Sequence, residues 1–103
     1  MSTLEVRDAP ERSRYELLED GRVVGFSDYV PLPDGTLVLP HTVVARDRRL
    51  GGYATRLVQG ALDDVRRRGL RIVPECSFVA DFLDSHPGYA DLVASPPSAP
   101  PST

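Results

Sequence analysis

Two consecutive glycines stand between a run of β-forming residues and a run with helical periodicity. Gly51 and Gly52 precede the first turn of a predicted helix, where backbone N–H groups lack an intrahelical partner. Those free donors and the helix dipole attract anions, and glycine lets the backbone approach a ligand closely. Three arginines add positive charge just before them: Arg46, Arg48 and Arg49. The pattern favours a diphosphate site, and a plain tight turn is the alternative interpretation.

His41 and Cys76 are the candidate reactive side chains. His41 falls at the carboxyl end of a predicted strand and Cys76 just beyond the next parallel strand, so a ligand at that edge would meet both. A neutral imidazole can take a proton from an amine, directly or through a water. A thiol can act as a general acid, or as a covalent acceptor if a following helix directs its positive end at the sulfur. A structural histidine and a buried core cysteine are the simpler interpretations.

The composition excludes several kinds of chemistry. Lysine is absent, which removes P-loop and Schiff-base lysines, and Cys76 is the single cysteine, which removes an internal disulfide and a multi-cysteine zinc site. His86 could join His41 and Cys76 as a metal-binding trio, but their spacing contains no local ligand pair, so no metal site is predicted. A Walker A run and a G-x-G-x-x-G motif are also missing, and 103 residues leave no room for a doubly wound nucleotide fold.

Charge is distributed unevenly along the chain. The net charge of -3 argues against a dedicated nucleic-acid binder, yet residues 46–71 hold eight arginines and three acidic residues. One interpretation is a solvated helix face with pairs such as Asp64 with Arg68 four residues on. The other is attraction for a small polyanion.

The ends of the chain and its hydropathy set the expected domain limits. We expect disorder over residues 1–12 and over the Pro/Ser-rich residues 95–103, and a single domain over 13–94. No apolar run approaches the ~18 residues of a membrane span, and no secretory signal begins the chain. The expectation is a cytoplasmic protein with no membrane partner.

Strand and turn signals predict three antiparallel strands at the start of the domain. Asp20-Gly21 separates two β-forming runs and is typical of a two-residue hairpin turn. A third run begins at Thr36 and extends to Val44, which predicts a three-stranded meander.

A central amphipathic helix follows. Its apolar residues recur at helical spacing: Ala54, Leu57, Val58, Ala61, Leu62 and Val65. Gly69 is placed for a C-terminal cap, residues 70–73 predict a strand parallel to an earlier one, and residues 78–85 predict a short helix. The fold class is therefore α/β (α+β), with a mixed antiparallel and parallel sheet.

These residues carry a resemblance to a known family. Arg49-x-x-Gly52-x-Ala54 resembles the Q/R-x-x-G-x-G/A diphosphate loop of the GNAT acetyltransferases, in the strand, loop and helix setting typical of them. The wider pattern from His41 to Leu92, which includes Cys76 and His86-Pro87-x-Tyr89, is similar to a compact GNAT-like group of about this length. The chain departs from the usual loop at Arg48-Arg49-Leu50-Gly51-Gly52, where relatives more often read R-G-x-G.

The resemblance implies acetyl-coenzyme A as cofactor and acetyl transfer to an unidentified amine. It assigns the backbone of Val43 and Val44 to the pantetheine arm, with the Val43 N–H as a candidate oxyanion donor, and it makes His41 and Cys76 the catalytic candidates. The loop residues would hold the phosphates: Arg49, Leu50, Gly51, Gly52, Tyr53, Ala54 and Thr55. Amino-terminal helices that shape the acceptor site in full-size relatives are missing, so the acceptor, small molecule or protein, stays open.

Two other functions remain open from the sequence. One is a non-catalytic module that binds acyl-coenzyme A, or is acylated on Cys76, and acts through a partner protein. The other is an interaction domain whose arginine-rich helix docks an acidic partner.

Overall fold

The computed structural model describes residues 3–48 and 51–94, which form a mixed α/β fold as predicted. The strands are β1 (Leu4–Ala9), β2 (Arg14–Glu19), β3 (Arg22–Asp28), β4 (Val30–Pro31), β5 (Thr36–Leu39), β6 (Thr42–Val44) and β7 (Arg71–Pro74). The helices are α1 (Tyr53–Arg67) and α2 (Ser77–Ser85), with short 3-10 segments at Pro10–Arg12, Arg46–Arg48 and Pro87–Leu92. No helix within the described ranges is long and apolar enough to cross a membrane.

The strands form two sheets. One is antiparallel with the order β1-β2-β3-β6, and the other has the order β4-β5-β7, with β5 and β7 parallel. The predicted hairpin is confirmed, since β2 and β3 pair around Asp20 and Gly21, whose φ angles of 51° and 85° are those of a primed turn. The predicted parallel crossover through the central helix is confirmed as well.

The predicted three-stranded meander is confirmed for residues 42–44 and wrong for residues 36–39, because the third run divides at Pro40 and His41. β5 pairs with β7, whereas β6 pairs with β3. Proline has no N–H to contribute to a strand ladder, and the carbonyls on either side of it belong to different sheets. Leu39 O accepts from the Cys76 N–H at 2.9 Å, and His41 O accepts from the Asp28 N–H at 3.2 Å.

The expectation of disorder over residues 1–12 is also wrong for the part that the structure describes, from residue 3 on. β1 pairs with β2 along its whole length, from Leu4 opposite Glu19 to Ala9 opposite Arg14. Leu4 and Val6 pack against the core, while the charged residues between them face out. Alternate burial of this kind offsets the entropy of ordering the strand. Residues 95–103 lie outside the described residues.

Helix α1 packs its apolar stripe against the antiparallel sheet, as its periodicity predicted. Five residues of its apolar stripe are buried: Leu57, Val58, Ala61, Leu62 and Val65. The Tyr15 hydroxyl of β2 donates to Asp64 at 2.7 Å, and burial raises the pKa of Tyr15 to about 12, so this phenol stays protonated. The helix ends before Gly69, whose φ of 71° suits the expected cap. One face of the sheet is therefore closed by α1, and we call it the inner face.

We predict that Gly60→Ala destabilises the protein. A Cβ at Gly60 would lie 2.5 Å from Val6 Cγ2, so β1 must move, and overpacking of this kind costs about 1–3 kcal/mol. Urea unfolding measures the change, with the exposed Gln59→Ala as the control on the same helix. If residues 1–12 were disordered, Gly60→Ala would instead stabilise by about 0.5–1 kcal/mol, the gain in helix propensity.

Candidate functional site

β6 is an edge strand whose peptide groups alternate in direction. Hydrogen bonds from Ala45 N to Val24 O (2.7 Å) and from Asp28 N to His41 O (3.2 Å) fix which β6 residues face β3. The alternation of an antiparallel ladder then directs the Val43 peptide groups to Phe26, and those of Thr42 and Val44 to the outer edge. No described strand pairs with that edge. The Val44 peptide groups therefore lie on the outer edge, whereas the Val43 N–H faces β3, and a ligand contact at Val44 stays a prediction.

The glycine turn leads directly into α1. Gly51 and Gly52 have φ angles of 89° and 80°, which residues other than glycine rarely adopt, and Gly52 is the N-cap residue of α1. The first intrahelical bond runs from Arg56 N to Gly52 O at 2.9 Å. Tyr53, Ala54 and Thr55 thus present N–H groups with no intrahelical acceptor, and no side chain of the described residues caps them. The anion site that the sequence places at this helix start stays a prediction, and Arg49 and Leu50 lie outside the described residues.

A buried carboxylate holds both ends of this turn. Glu19, at the end of β2, accepts a hydrogen bond from Arg48 Nε at 2.6 Å and one from the Tyr53 hydroxyl at 2.7 Å. The bond to Glu19 raises the pKa of the Tyr53 phenol, which keeps it a donor. We call these contacts the Glu19 bridge. It ties the chain before the glycines and the start of α1 to the same hairpin.

The arginines of residues 46–71 divide into paired and unpaired groups. Arg48, Arg66, Arg67 and Arg68 each form ion pairs with acidic side chains. Arg46, before the glycines, and Arg56, in the first turn of α1, are exposed and form no ion pair with the described residues. Both remain able to meet an anion at the helix start.

Cys76 contacts Thr42 on the inner face of the sheet. Its Sγ lies 3.7 Å from Thr42 Oγ1, which is 3.1 Å from the Oγ of the buried Ser27. Cys76 is 9% exposed and is the N-cap residue of α2. The helix therefore begins immediately after the thiol, as the covalent hypothesis requires, although the sulfur is largely buried.

His41 faces the opposite, outer side of the sheet. Its Nε2 lies 2.6 Å from Asp28 Oδ2, and its side chain is 56% exposed. In a neutral imidazole, an Nε2–H that donates to the carboxylate makes Nδ1 the acceptor nitrogen. An imidazole oriented in this way by a carboxylate is the arrangement that general-base catalysis uses.

The structure thus brings His41 and Cys76 to the same end of β6 but on its two faces. Consecutive residues of a strand point to opposite sides, so Thr42 meets Cys76 while His41 meets Asp28. Asp28 was not identified from the sequence. It lies 13 positions before His41, and only the β3–β6 register places the two side by side.

His86 takes part in a separate, structural set of contacts. Its ring stacks on Phe82 with centroids 4.0 Å apart, and its Nδ1 lies 2.9 Å from the Phe82 carbonyl. Within residues 3–48 and 51–94 no three His, Cys, Asp or Glu side chains are grouped in a way that would hold a metal ion.

Comparison with known proteins establishes the family. A model of the GCN5-related N-acetyltransferase family matches residues 14–92, most of the chain. The chain belongs to this family. A comparison with curated proteins gives no match.

Solved structures show the same fold. A protein of Staphylococcus aureus assigned as a GCN5-like N-acetyltransferase is similar over 100% of both chains, with a TM-score of 0.66 and 20% sequence identity. A ribosomal-protein-alanine N-acetyltransferase from Brucella melitensis biovar Abortus 2308 is similar over 87% of this chain and 67% of its own, with a TM-score of 0.51 and 22% identity. At these identities the likeness concerns the fold.

We predict that Tyr53→Phe weakens binding of coenzyme A about three- to tenfold. The change removes the hydroxyl that donates to Glu19 and keeps the ring, so the start of α1 loses its bond to Glu19 while Arg48 keeps the other half of the Glu19 bridge. Calorimetric titration with coenzyme A measures the affinity. Tyr89→Phe, which removes a hydroxyl bonded to Asp63 elsewhere on the same helix, is the matched control. Equal affinities for the two variants would contradict a role for the Glu19 bridge in the site.

Proposed function

We propose that this protein is an N-acetyltransferase that transfers the acetyl group of acetyl-coenzyme A to an amine. The observation that carries the proposal is the open edge of β6, which extends from the uncapped start of α1 to the His41–Asp28 pair. Membership of the GCN5-related family supports it.

The residues present fit such a cofactor. The N–H groups of Tyr53, Ala54 and Thr55 suit a diphosphate, and the two positive-φ glycines leave room for it. The outward peptide groups of Thr42 and Val44 offer hydrogen bonds to an amide-bearing arm lying along the strand. The Thr42 N–H is also the better candidate to stabilise an oxyanion, since the Val43 N–H faces β3.

His41 supplies the base in this proposal. Acetyl-coenzyme A provides an activated thioester carbonyl. An amine forms the new C–N bond, the C–S bond breaks, and His41 Nδ1 takes the amine proton directly or through a water. The departing thiolate takes a proton from the Cys76 thiol or from water. Asp28 is a positioning residue that holds the imidazole tautomer.

We expect Arg56→Gln to weaken coenzyme A binding by about tenfold while leaving the fold intact. Arg56 stands exposed in the first turn of α1, so its loss removes positive charge next to the predicted diphosphate. Arg71→Gln makes the same charge change at the exposed start of β7 and serves as control. Calorimetry at low and high salt measures both. Equal losses in the two variants would indicate a general charge effect and count against the site.

We expect His41→Ala to lower kcat by about 10²-fold, in the range typical of general bases, and Asp28→Asn to lower it less. The KM for acetyl-coenzyme A should stay near that of the wild type in both variants, because neither side chain is assigned to the cofactor. Steady-state kinetics with an accepted amine measures this. Full activity in His41→Ala would remove the histidine from the mechanism.

A second candidate function is self-acylation of Cys76, favoured by the position of Cys76 as the N-cap residue of α2. The acyl group would pass from the thioester to the Cys76 sulfur, releasing the coenzyme thiol. Intact-mass measurement after incubation with acetyl-coenzyme A separates the candidates. A stoichiometric adduct that Cys76→Ser abolishes supports acylation, whereas turnover with amines supports the transferase.

A further inference from the structure

An apolar groove lies on the outer face of the antiparallel sheet, next to His41. Its volume is about 240 Å³, and its lining is mainly aliphatic and aromatic: Val23, Val24, Gly25, Phe26, Val43 and Ala45, with Arg14 at one side. Val43 is 41% exposed although it is apolar. The Phe26 ring meets the His41 ring edge-on at 6.4 Å between centroids. Phe26 therefore places one end of the groove near the imidazole.

The charges around the groove suit a ligand that carries an ammonium group. The Arg14 guanidinium lies 4.2 Å above the Phe26 ring, and its Nε is 2.9 Å from Glu16. Glu16 is fully buried, and a hydrogen bond from Arg12 lowers the pKa of its carboxyl, so Glu16 stays charged and holds Arg14. Glu16 is shared with Arg12, which also pairs with Glu11, so the two arginines and two glutamates of this cluster balance and Arg14 adds little net charge to the groove. Asp28, beside His41, carries a carboxylate that attracts an ammonium group.

On the inner face, described side chains and α1 cover the end of β6. Ser27 and Thr42 hydrogen-bond to each other there, Cys76 contacts Thr42, and α1 covers the sheet. A nucleophile that reaches the β6 edge at His41 therefore comes from the outer face, across the groove.

We propose that this groove is the acceptor subsite and that the acceptor is a small primary amine with an apolar arm and without a carboxylate. The inference rests on the proposed acetyl transfer. The apolar arm lies against Phe26 and Val43, and the amino group reaches His41 Nδ1. A volume of 240 Å³ falls below that of most drug-sized pockets and suits a small molecule.

Three amines test the proposal by steady-state kinetics with acetyl-coenzyme A. 2-Phenylethylamine has the apolar arm, phenylalanine has the same arm with a carboxylate, and ethanolamine lacks the arm. We expect kcat/KM for 2-phenylethylamine to exceed that of either other amine by at least tenfold, since apolar pockets discriminate by such factors. Equal or faster acetylation of ethanolamine or phenylalanine would overturn the proposal.

Substitutions in the groove test whether its residues determine the selectivity between amines. Phe26→Ala should reduce kcat/KM for 2-phenylethylamine about tenfold, change that for ethanolamine by less than threefold, and leave the affinity for coenzyme A unaltered. Val43→Thr, a smaller change at an exposed position, gives the same test if Phe26→Ala fails to fold, and we expect a threefold or greater reduction. Val30→Thr, on exposed β4 in the other sheet, is the control. Parallel losses for both amines would contradict the subsite.

A measurement of amine binding distinguishes failure of the acceptor-subsite inference from failure of the proposed acetyl transfer. If no amine is acetylated, the transferase proposal fails, and the groove is tested by nuclear magnetic resonance titration of labelled protein with 2-phenylethylamine in the presence of coenzyme A. Shifts centred on the amides of Phe26, Val43 and Ala45 support the groove as an amine site. Their absence at millimolar amine overturns it.

Discussion

Pro40 interrupts a β-forming run and divides it between two sheets, and the candidate site depends on that division. Leu39 stays with β7 and His41 passes to β3, so the short strand β6 has one paired edge and one open edge. If residues 36–44 formed one strand paired with β3, the chain would not divide between the two sheets. β6 would then have no separate edge beside Cys76. The missing proline N–H is the simplest physical cause, since a ladder cannot be extended through it.

The Glu19 bridge and the His41–Asp28 pair position the two ends of that edge. One fixes the glycine turn against the β2–β3 hairpin, and the other fixes an imidazole at the far end of β6. Both depend on the same hairpin, because Glu19 ends β2 and Asp28 ends β3. The antiparallel sheet, held on α1 by contacts such as Tyr15 with Asp64, thus sets the separation between the start of α1 and His41.

The elements that local sequence determines could be predicted. The spacing of α1, the Asp20-Gly21 turn, the crossover to β7 and the family resemblance all follow from nearby residues. The division at Pro40 could not, because the strand pairings that it separates are long-range. β1 was missed because its charged residues conceal the alternation of Leu4 and Val6, whose burial depends on α1. Asp28, and the separation of His41 and Cys76 by the two faces of β6, depend on register.

The most direct measurement is a crystal structure of the protein with coenzyme A. We expect diphosphate oxygens within ~3 Å of the amide nitrogens of Tyr53, Ala54 or Thr55, the ordinary length of an N–H···O bond. The pantetheine arm should follow the outer edge of β6, with the sulfur near Thr42. A complex with the cofactor bound elsewhere, or with the start of α1 closed by the protein's own side chains, would contradict the assignment of this edge as the cofactor site.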